Sequence, residues 1–296
     1  MSQEHIDQMM AQGKIVFTKS GMPRYKRYLD ETEGAPLGTI WDDIPPINSQ
    51  ASERLGYPTQ KPLALLERII RASNHEGGVV LDPFCGCGTA VHAAQKLNWD
   101  WIGIDITHLA ISTIEKRLKD AFPGLAFDVQ GTPKDLESAR DLAKRSKYQF
   151  QWWACALVNA QPYQGKKKGA DSGIDGLIFF QDESNAVKKI IVSVKGGDHV
   201  GVGMVRELDW VVNREKAAIG LLVTLTPPTK AMRTEANAAG FYRSPHHGDF
   251  PKIQILTIEG LLNCAESAQY SDLAMGGLTF KKAMKESPSR EQVKLL

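Results

Sequence analysis

One short stretch constrains the fold of this chain more than any other. Residues 79–89 read Val-Val-Leu-Asp-Pro-Phe-Cys-Gly-Cys-Gly-Thr, which predicts a strand, a tight turn and the start of a helix. The first three residues are apolar, and we expect this strand to be covered on both faces. Gly86 and Gly88 lack a Cβ, so the backbone there can turn sharply and approach a ligand closely. We expect Thr89 to cap the following helix.

A second predicted strand, from Trp101 to Ile104, ends on an acidic residue. Asp105 follows the glycines at close to the roughly 20-residue spacing at which an acidic side chain meets ribose hydroxyls in nucleotide-binding βαβ units. The strand, the glycine turn, the helix and the acidic residue therefore favour one interpretation. They predict a nucleoside-like ligand held between two neighbouring strands.

The run from Asp82 to Thr89 resembles motif I of the DNA amino-methyltransferases, Asp-Pro-Phe-x-Gly-x-Gly-Thr, which modify adenine N6 or cytosine N4. The segment 58–62, Pro-Thr-Gln-Lys-Pro, resembles motif X of the same enzymes. The resemblance implies a partial Rossmann-like α/β domain that binds S-adenosylmethionine. A helix opening at Thr59 or Gln60 favours the carboxylate of this cofactor through its dipole. The cofactor-binding residues so implied are Thr59, Lys61, Asp82, Phe84, Gly86, Gly88, Thr89 and Asp105.

Composition narrows the class of protein. At 296 residues, with 42% apolar and 24% charged residues, the chain is long enough for two globular domains. A net charge of +2 is too small to indicate nucleic-acid binding by itself, so DNA contacts must rest on local clusters. No apolar run reaches the roughly 20 residues of a membrane helix. Four cysteines do not make a disulfide framework, and we expect a cytoplasmic protein with reduced thiols and no membrane partner.

Two basic segments are the candidate contacts to double-stranded DNA. The first interleaves Arg24, Lys26 and Arg27 with tyrosines, a pattern typical of surfaces that contact phosphates. It also resembles the segment that precedes the cofactor motifs in the amino-methyltransferases. For both segments the alternative is a solvated charged surface. The second segment is the run Lys166, Lys167 and Lys168.

The second half of the chain shows a different pattern. Asp175 begins one predicted strand and Lys195 ends the next, so a hairpin brings the two side chains together at one sheet edge. A carboxylate and a lysine there, with a divalent ion, can activate water for phosphodiester cleavage. The alternative for this pair is a surface ion pair on a hairpin.

These residues resemble the PD-(D/E)XK restriction-endonuclease fold, particularly its Mrr-like branch. The resemblance implies a smaller α/β nuclease-like domain with catalytic residues Gln151, Asp175, Ser193 and Lys195, and with Asp175 as a magnesium ligand. Ser193 stands where that fold usually has Glu or Gln, and Gln151 where it often has Glu. Two neutral side chains in place of acids weaken metal binding, although one or two carboxylates can hold magnesium.

Four regions are predicted along the chain. Residues 1–130 form the methylase region with its cofactor motifs, and residues 131–147 form a charged helical connector. Residues 148–265 form the nuclease-like domain, and residues 266–296 form a polar, basic tail that we expect to be loose from Met275.

The catalytic motif of the amino-methyltransferases, a polar residue followed by Pro-Pro and an aromatic, has no match in this chain. Residues 44–47, Ile-Pro-Pro-Ile, lack both the polar and the aromatic residue, and Pro227-Pro228 is flanked by threonines. The resemblance therefore implies a fragment or split half of a site-specific DNA methyltransferase of a restriction-modification system. A second polypeptide would carry the missing catalytic and target-recognition parts. The alternatives are a magnesium-dependent DNA endonuclease and a non-catalytic DNA-binding protein.

Overall fold

The computed structural model describes residues 3–28, 31, 38–57, 59–163, 173–183 and 186–286. By its internal contacts the chain divides into two units, Met1–Ile44 and Pro45–Leu296. Within the described residues, every helix is too short or too polar to cross a membrane.

The first unit contains a helix and a hairpin. Helix α1 spans Gln3–Ala11, and strand β1 (Ile15–Phe17) pairs antiparallel with β2 (Pro23–Tyr25). The side chains of α1 and β2 are not buried. The first predicted basic segment therefore lies on the surface, where Arg24, Lys26 and Arg27 are all exposed.

The methylase region of the second unit is a strand–helix–strand arrangement flanked by two helices. Its elements are α2 (Leu63–Ser73), β3 (Val79–Asp82), α3 (Thr89–Lys96), β4 (Asp100–Gly103) and α4 (His108–Ala121). Strands β3 and β4 are parallel, with Val79 opposite Asp100 and Asp82 opposite Gly103. The structure thus has the predicted order of strand, glycine turn, helix and strand.

The described residues cover one face of the β3–β4 pair. Val80 and Trp101 pack against α2 and α3, and Gly103 lets α3 approach closely, because a Cβ there would lie 2.8 Å from Val91. The expectation that β3 is covered on both faces is wrong, because the described residues place no second layer over the opposite face. The side chains left 51–60% exposed on that face are Val79, Leu81, Ile102 and Ile104.

The nuclease-like region is built on a mixed sheet of five strands. Its helices are α5 (Leu136–Arg145), α6 (Lys147–Leu157), α7 (Val202–Arg214), α8 (Lys230–Ala238) and α9 (Ile258–Leu262). Its strands are β5 (Gln161–Pro162), β6 (Gly176–Phe180), β7 (Lys188–Lys195), β8 (Ile219–Thr224) and β11 (Ile253–Thr257). A separate antiparallel hairpin consists of β9 (Phe241–Ser244) and β10 (Gly248–Pro251).

Helices cover both faces of the five-stranded sheet, whose strand order is β11-β8-β7-β6-β5. Strands β7, β8 and β11 are parallel, and β6 runs antiparallel to β7 and β5. Phe180 and Val192 pack with α5, α6 and α9 on one face, whereas Ile191 and Leu222 pack with α7 and α8 on the other. The fold class is therefore α/β in both regions, as predicted.

The helix predicted as a connector over 131–147 belongs to the core instead. Asp135 caps α5 by accepting a hydrogen bond from the Ser138 N–H at 2.8 Å. Ala139, Leu142 and Ala143 are buried in the same cluster as α6 and the sheet. The sequence pattern concealed this role because two of the three buried side chains are alanines, which give little contrast with the charged residues around them.

The tail predicted over 266–296, and predicted to be loose from Met275, is docked in its described part. Leu273 donates a backbone hydrogen bond to the Gln181 carbonyl at 2.7 Å. The Thr279 hydroxyl accepts from the Phe179 N–H at 2.8 Å and donates to the Phe179 carbonyl at 3.0 Å. These bonds satisfy backbone groups of Phe179 in β6 and of Gln181 just after it, which β5 does not reach because it pairs only with the first two residues of β6. We call residues 272–286 the C-terminal strap.

Candidate cofactor site and nuclease-like site

The glycine turn joins β3 to α3. Asp82 begins it and accepts a hydrogen bond from the Phe84 N–H at 3.2 Å. Gly86 and Gly88 have φ angles of +51° and +71°, in the left-handed region that L side chains rarely adopt. A Cβ on Gly88 would also lie 2.7 Å from Ile114. The two predicted glycines are therefore required by backbone conformation, and Gly88 also by the close approach of α4.

Asp105 closes the turn from the neighbouring strand. Its Oδ2 accepts a hydrogen bond from the Gly86 N–H at 3.0 Å, and its Oδ1 accepts from the Thr107 N–H at 2.9 Å and the Thr107 hydroxyl at 2.8 Å. A carboxylate offers about four lone-pair directions, so three accepted bonds leave capacity for roughly one further donor. The structure brings the predicted acid to the predicted glycines.

Two aromatic side chains flank the glycine turn. Phe84 is 83% exposed. Tyr57 is half-buried, and its ring would lie 3.4 Å from a Cβ placed on Gly86. Burial, with a smaller contribution from Asp105, raises the pKa of Tyr57. The sequence interpretation did not include Tyr57, although its position immediately before motif X was an available signal.

Thr89 supports the turn from the protein interior. The N-cap residue of α3 is Gly88, and no side chain caps this helix, so the predicted capping by Thr89 is wrong. Thr89 is buried, and its Oγ1 accepts a hydrogen bond from Arg117 at 3.1 Å. Because the hydroxyl is directed at the interior, Thr89 stabilises the turn and does not face its open side.

Arg117 of α4 holds the inner side of the turn. It is only 3% exposed, and it donates to the Cys87 carbonyl at 3.1 Å and through Nε to Nδ1 of His92 at 3.0 Å. The Nε2 atom of His92 lies 2.9 Å from Oε1 of Glu286. Burial, followed by the charge of Arg117, lowers the pKa of His92 to about 4. The imidazole is therefore neutral at pH 7.

The motif X segment is held by its own neighbours. Lys61 donates to the Thr59 carbonyl at 3.0 Å, and both side chains are exposed. Helix α2 begins at Leu63 and not at Thr59 or Gln60. Glu53 accepts from the Leu63 N–H at 2.9 Å. A carboxylate of the chain thus stands at the helix N-terminus, where the sequence had predicted the carboxylate of the cofactor.

A cavity of about 660 Å³ lies beside β4, a volume within the range of small-molecule sites. Asp105, Ile106 and Phe127 line it together with Gln149 of α6. Gln149 also accepts a hydrogen bond from the His108 N–H at 3.0 Å. Asp105 is therefore shared by the glycine turn and by a cavity to which the nuclease-like region contributes.

Asp175 of the nuclease-like region is held by two nitrogen donors. Its Oδ1 accepts from Nε2 of Gln151 at 2.7 Å, and its Oδ2 accepts from the Val194 N–H at 2.7 Å. Gln151 on α6 and Asp175, both predicted for this site, are thus joined by a direct hydrogen bond.

Strand register places the remaining predicted residues. Gly176 pairs with Val192, so Asp175 lies opposite Ser193, which is buried. Lys195 follows two residues later on the same face and ends β7. The hairpin therefore gathers the predicted nuclease-like residues at one edge of the sheet.

The described residues show no cluster of metal ligands at this site. Magnesium requires oxygen ligands, and each oxygen of Asp175 already accepts one N–H hydrogen bond. Throughout the part of the chain that the structure describes, no three His, Cys, Asp or Glu side chains are grouped so that they could hold a metal. The role of Asp175 as a magnesium ligand therefore stays a prediction.

The predicted DNA contacts are placed only in part. Arg24, Lys26 and Arg27 lie on and just after β2 of the first unit, and Nζ of Lys26 is 5.7 Å from the ring centre of Tyr28. The second basic segment, Lys166, Lys167 and Lys168, lies outside the described residues.

Two family models match this chain. Residues 4–116 match the DNA methylase family, and this range contains the glycine turn and Asp105. Residues 149–263 match the NACHT-associated inactive restriction endonuclease 1 family, and this range contains Asp175 and the five-stranded sheet.

Two Type II methyltransferases are among the known proteins similar to this chain. The chain is 38% identical over 114 residues to the Type II methyltransferase M.EcaI of Enterobacter cloacae, covering 38% of this chain and 25% of that protein. It is 40% identical over 118 residues to the Type II methyltransferase M.HpaI of Haemophilus parainfluenzae, covering 38% of this chain and 37% of that protein.

A solved structure, that of the M1.HpyAVI–SAM complex, is 34% identical and covers 36% of this chain and 44% of that chain, with a TM-score of 0.21. At this TM-score the two folds are not comparable, and the similarity concerns the amino-acid sequences alone. The chain spans about a quarter to two-fifths of the length of the two curated relatives. It joins a region that matches the DNA methylase family model to a region that matches the inactive restriction endonuclease family model.

Proposed function

We propose that the methylase region binds S-adenosylmethionine and forms the cofactor-holding part of a DNA amino-methyltransferase of a restriction-modification system. The observation that carries this proposal is the hydrogen bond between Asp105 and Gly86, which sets a carboxylate beside bare glycine backbone. When bound, the cofactor supplies a methyl group activated by its sulfonium, and adenine N6 or cytosine N4 of the target is the nucleophile.

Each residue of the turn has a distinct task in this proposal. The glycines allow the ligand to approach the backbone, and the remaining lone pair of Asp105 accepts a sugar hydroxyl. The exposed ring of Phe84 offers an apolar surface. Asp82 stabilises the turn by accepting a hydrogen bond from the Phe84 N–H. The exposed Thr59 and Lys61 provide polar contacts from motif X.

We infer that a second polypeptide supplies the catalytic Pro-Pro motif and the parts that recognise double-stranded DNA. The chain spans about a quarter to two-fifths of its curated relatives, and no Pro-Pro pair in it has the required neighbours. The exposed apolar face of β3 and β4 supports this inference, because parallel strands are ordinarily covered on both faces. Arg24, Lys26 and Arg27 are the candidate phosphate contacts of this chain.

Equilibrium dialysis of the whole chain against S-adenosylmethionine tests the proposal. We expect saturable binding that Asp105→Asn weakens at least tenfold, equivalent to about 1.4 kcal/mol. Asp100→Asn is the matched control, because Asp100 is exposed at the opposite end of the same strand, and it should bind like the wild type. Absence of binding by the wild-type chain, or equal binding by all three proteins, would exclude a cofactor site at this turn.

We propose that the nuclease-like region is a non-catalytic DNA-binding module. The supporting observation is that the Asp175 carboxylate accepts from Gln151 and Val194, while the described residues contain no group of three side chains that could hold a metal. A salt-sensitive gel shift with duplex DNA is expected, with intact plasmid after incubation with magnesium. Magnesium-dependent cutting that disappears in Asp175→Ala would instead favour the endonuclease.

A further inference from the structure

The C-terminal strap, residues 272–286, runs from the nuclease-like sheet to the back of the glycine turn. Its last residue, Glu286, contacts both helices that flank the turn. Oε1 of Glu286 lies 2.9 Å from Nε2 of His92, and Oε2 lies 3.4 Å from Nζ of Lys96. The Glu286 N–H donates to the Ala121 carbonyl at the end of α4 at 2.9 Å. The strap is thus fixed at one end to β6 and at the other to the methylase region.

Glu286 and Arg117 together determine which nitrogen of His92 carries the proton. An ionised carboxylate only accepts hydrogen bonds, so Nε2 of the imidazole must donate. In a neutral ring Nδ1 is then the acceptor, and Nε of Arg117 donates to it at 3.0 Å. The opposite tautomer would place an N–H against the Arg117 N–H and leave the carboxylate without its donor.

His92 in turn fixes the guanidinium of Arg117. With Nε engaged, the NH1 atom lies 3.1 Å from the Cys87 carbonyl and 3.1 Å from the Thr89 hydroxyl. These two residues flank Gly88, whose left-handed backbone begins α3. A buried guanidinium that loses its acceptors is costly, so a change at His92 is transmitted to the backbone of the turn.

We propose that Glu286 is a positioning residue of the cofactor site. Through His92 and Arg117 it holds the inner side of the glycine turn in the conformation that binds the cofactor. This inference rests on the proposed binding of S-adenosylmethionine, and it assigns the strap, and with it the nuclease-like region, a supporting role in that binding.

Calorimetric titration of the whole chain with S-adenosylmethionine is the first arm of the test. Glu286→Ala should raise the dissociation constant at least fivefold, whereas Glu286→Gln should stay within about threefold, because the glutamine Oε1 accepts the same bond from His92. Lys285→Ala, an exposed neighbour in the strap, is the control and should leave binding unchanged. Wild-type affinity in Glu286→Ala would overturn the positioning role.

The ¹⁵N resonances of the His92 ring form the second arm and need no cofactor. We expect a neutral Nε2–H ring in the wild type and in Glu286→Gln, and a mixture of tautomers in Glu286→Ala. A neutral Nδ1–H ring or an imidazolium in the wild type at pH 7 would overturn the proposed chain of hydrogen bonds from Glu286 through His92 to Arg117, whatever the binding data show. A wild-type chain that binds no cofactor would defeat the proposed function, and the positioning role with it, even with the expected tautomer.

Discussion

The Asp105 carboxylate, just after β4, accepts a hydrogen bond from the Gly86 N–H in the turn that follows β3. The two residues are 19 positions apart, and the contact requires the second strand to lie parallel beside the first. This hydrogen bond therefore places a carboxylate, which can accept further hydrogen bonds, directly beside a glycine backbone that a ligand can approach closely. The proposed cofactor role follows from that combination more than from either residue alone.

Substitution of Gly88 should destabilise the chain. Gly88→Ala introduces a Cβ at a positive φ and within 2.7 Å of Ile114, so strain and overpacking together should cost about 2–4 kcal/mol of unfolding free energy. Urea denaturation measures the change. Gly197→Ala is the control, since nothing lies within 4 Å of a Cβ at Gly197. Equal stability of the two variants would show that α4 does not approach the turn as described.

Acidification should destabilise the fold through His92. Its pKa in the folded state is about 4, below the value of roughly 6.5 for an unperturbed histidine, so the unfolded chain binds more protons between these pH values. The stabilisation by neutral His92 is complete above about pH 6.5 and is lost as the pH falls toward 4. Burial is the largest cause of this lowered pKa, and among the facing groups Arg117 and Lys96 lower it whereas Glu286 raises it.

Urea midpoints at pH 7 and pH 4.5 measure this dependence. His92→Gln, which cannot titrate, should have a smaller difference between the two midpoints than the wild type. His75→Gln, at an exposed position, should behave like the wild type. A His92→Gln chain with an undiminished pH dependence would assign the acid sensitivity to other groups.

Helix α5 should contribute strongly to stability, contrary to the behaviour of a connector. Leu142→Ala removes a buried side chain from the main core of the nuclease-like region and should cost about 2–5 kcal/mol. Arg140→Ala, on the exposed side of the same helix, should change stability by less than about 0.5 kcal/mol. Thermal or urea unfolding compares the two. A small effect of Leu142→Ala would restore the connector interpretation.

The exposed face of β3 and β4 should tolerate polar residues. Leu81→Ser combined with Ile102→Ser should change the unfolding free energy by less than about 1 kcal/mol, because both side chains are more than half exposed. The same variant should bind less of a hydrophobic dye such as ANS. Strong destabilisation would mean that this face is packed against another part of the chain.

The sequence predicted the parts of the site that depend on local chemistry. Gly86, Gly88 and Asp105 follow from turn geometry and from the spacing of a strand–helix–strand unit, and all three meet in the structure. His92 and Glu286 were missed, because they are 194 residues apart and no local pattern links a helix to a strap. Leu142 was missed because its buried neighbours are alanines, which leave α5 without a clear apolar stripe.

The expected coverage of β3 was wrong for a different reason. Apolar residues on a strand predict that its face is buried, but they do not predict whether this chain provides the covering layer. Leu81 and Ile102 have the composition of a buried parallel strand and are nevertheless exposed in the described structure. Their exposure is what the proposal of a second polypeptide explains.

The backbone amide signal of Gly86 is the most direct probe of the central claim, that this glycine turn holds the cofactor. Titration of isotope-labelled whole chain with S-adenosylmethionine should shift the Gly86 and Gly88 amide resonances along a single saturation curve, and Asp105→Asn should move that curve to at least tenfold higher concentration. Unchanged glycine amides at saturating cofactor, or shifts confined to residues far from the turn, would contradict the account.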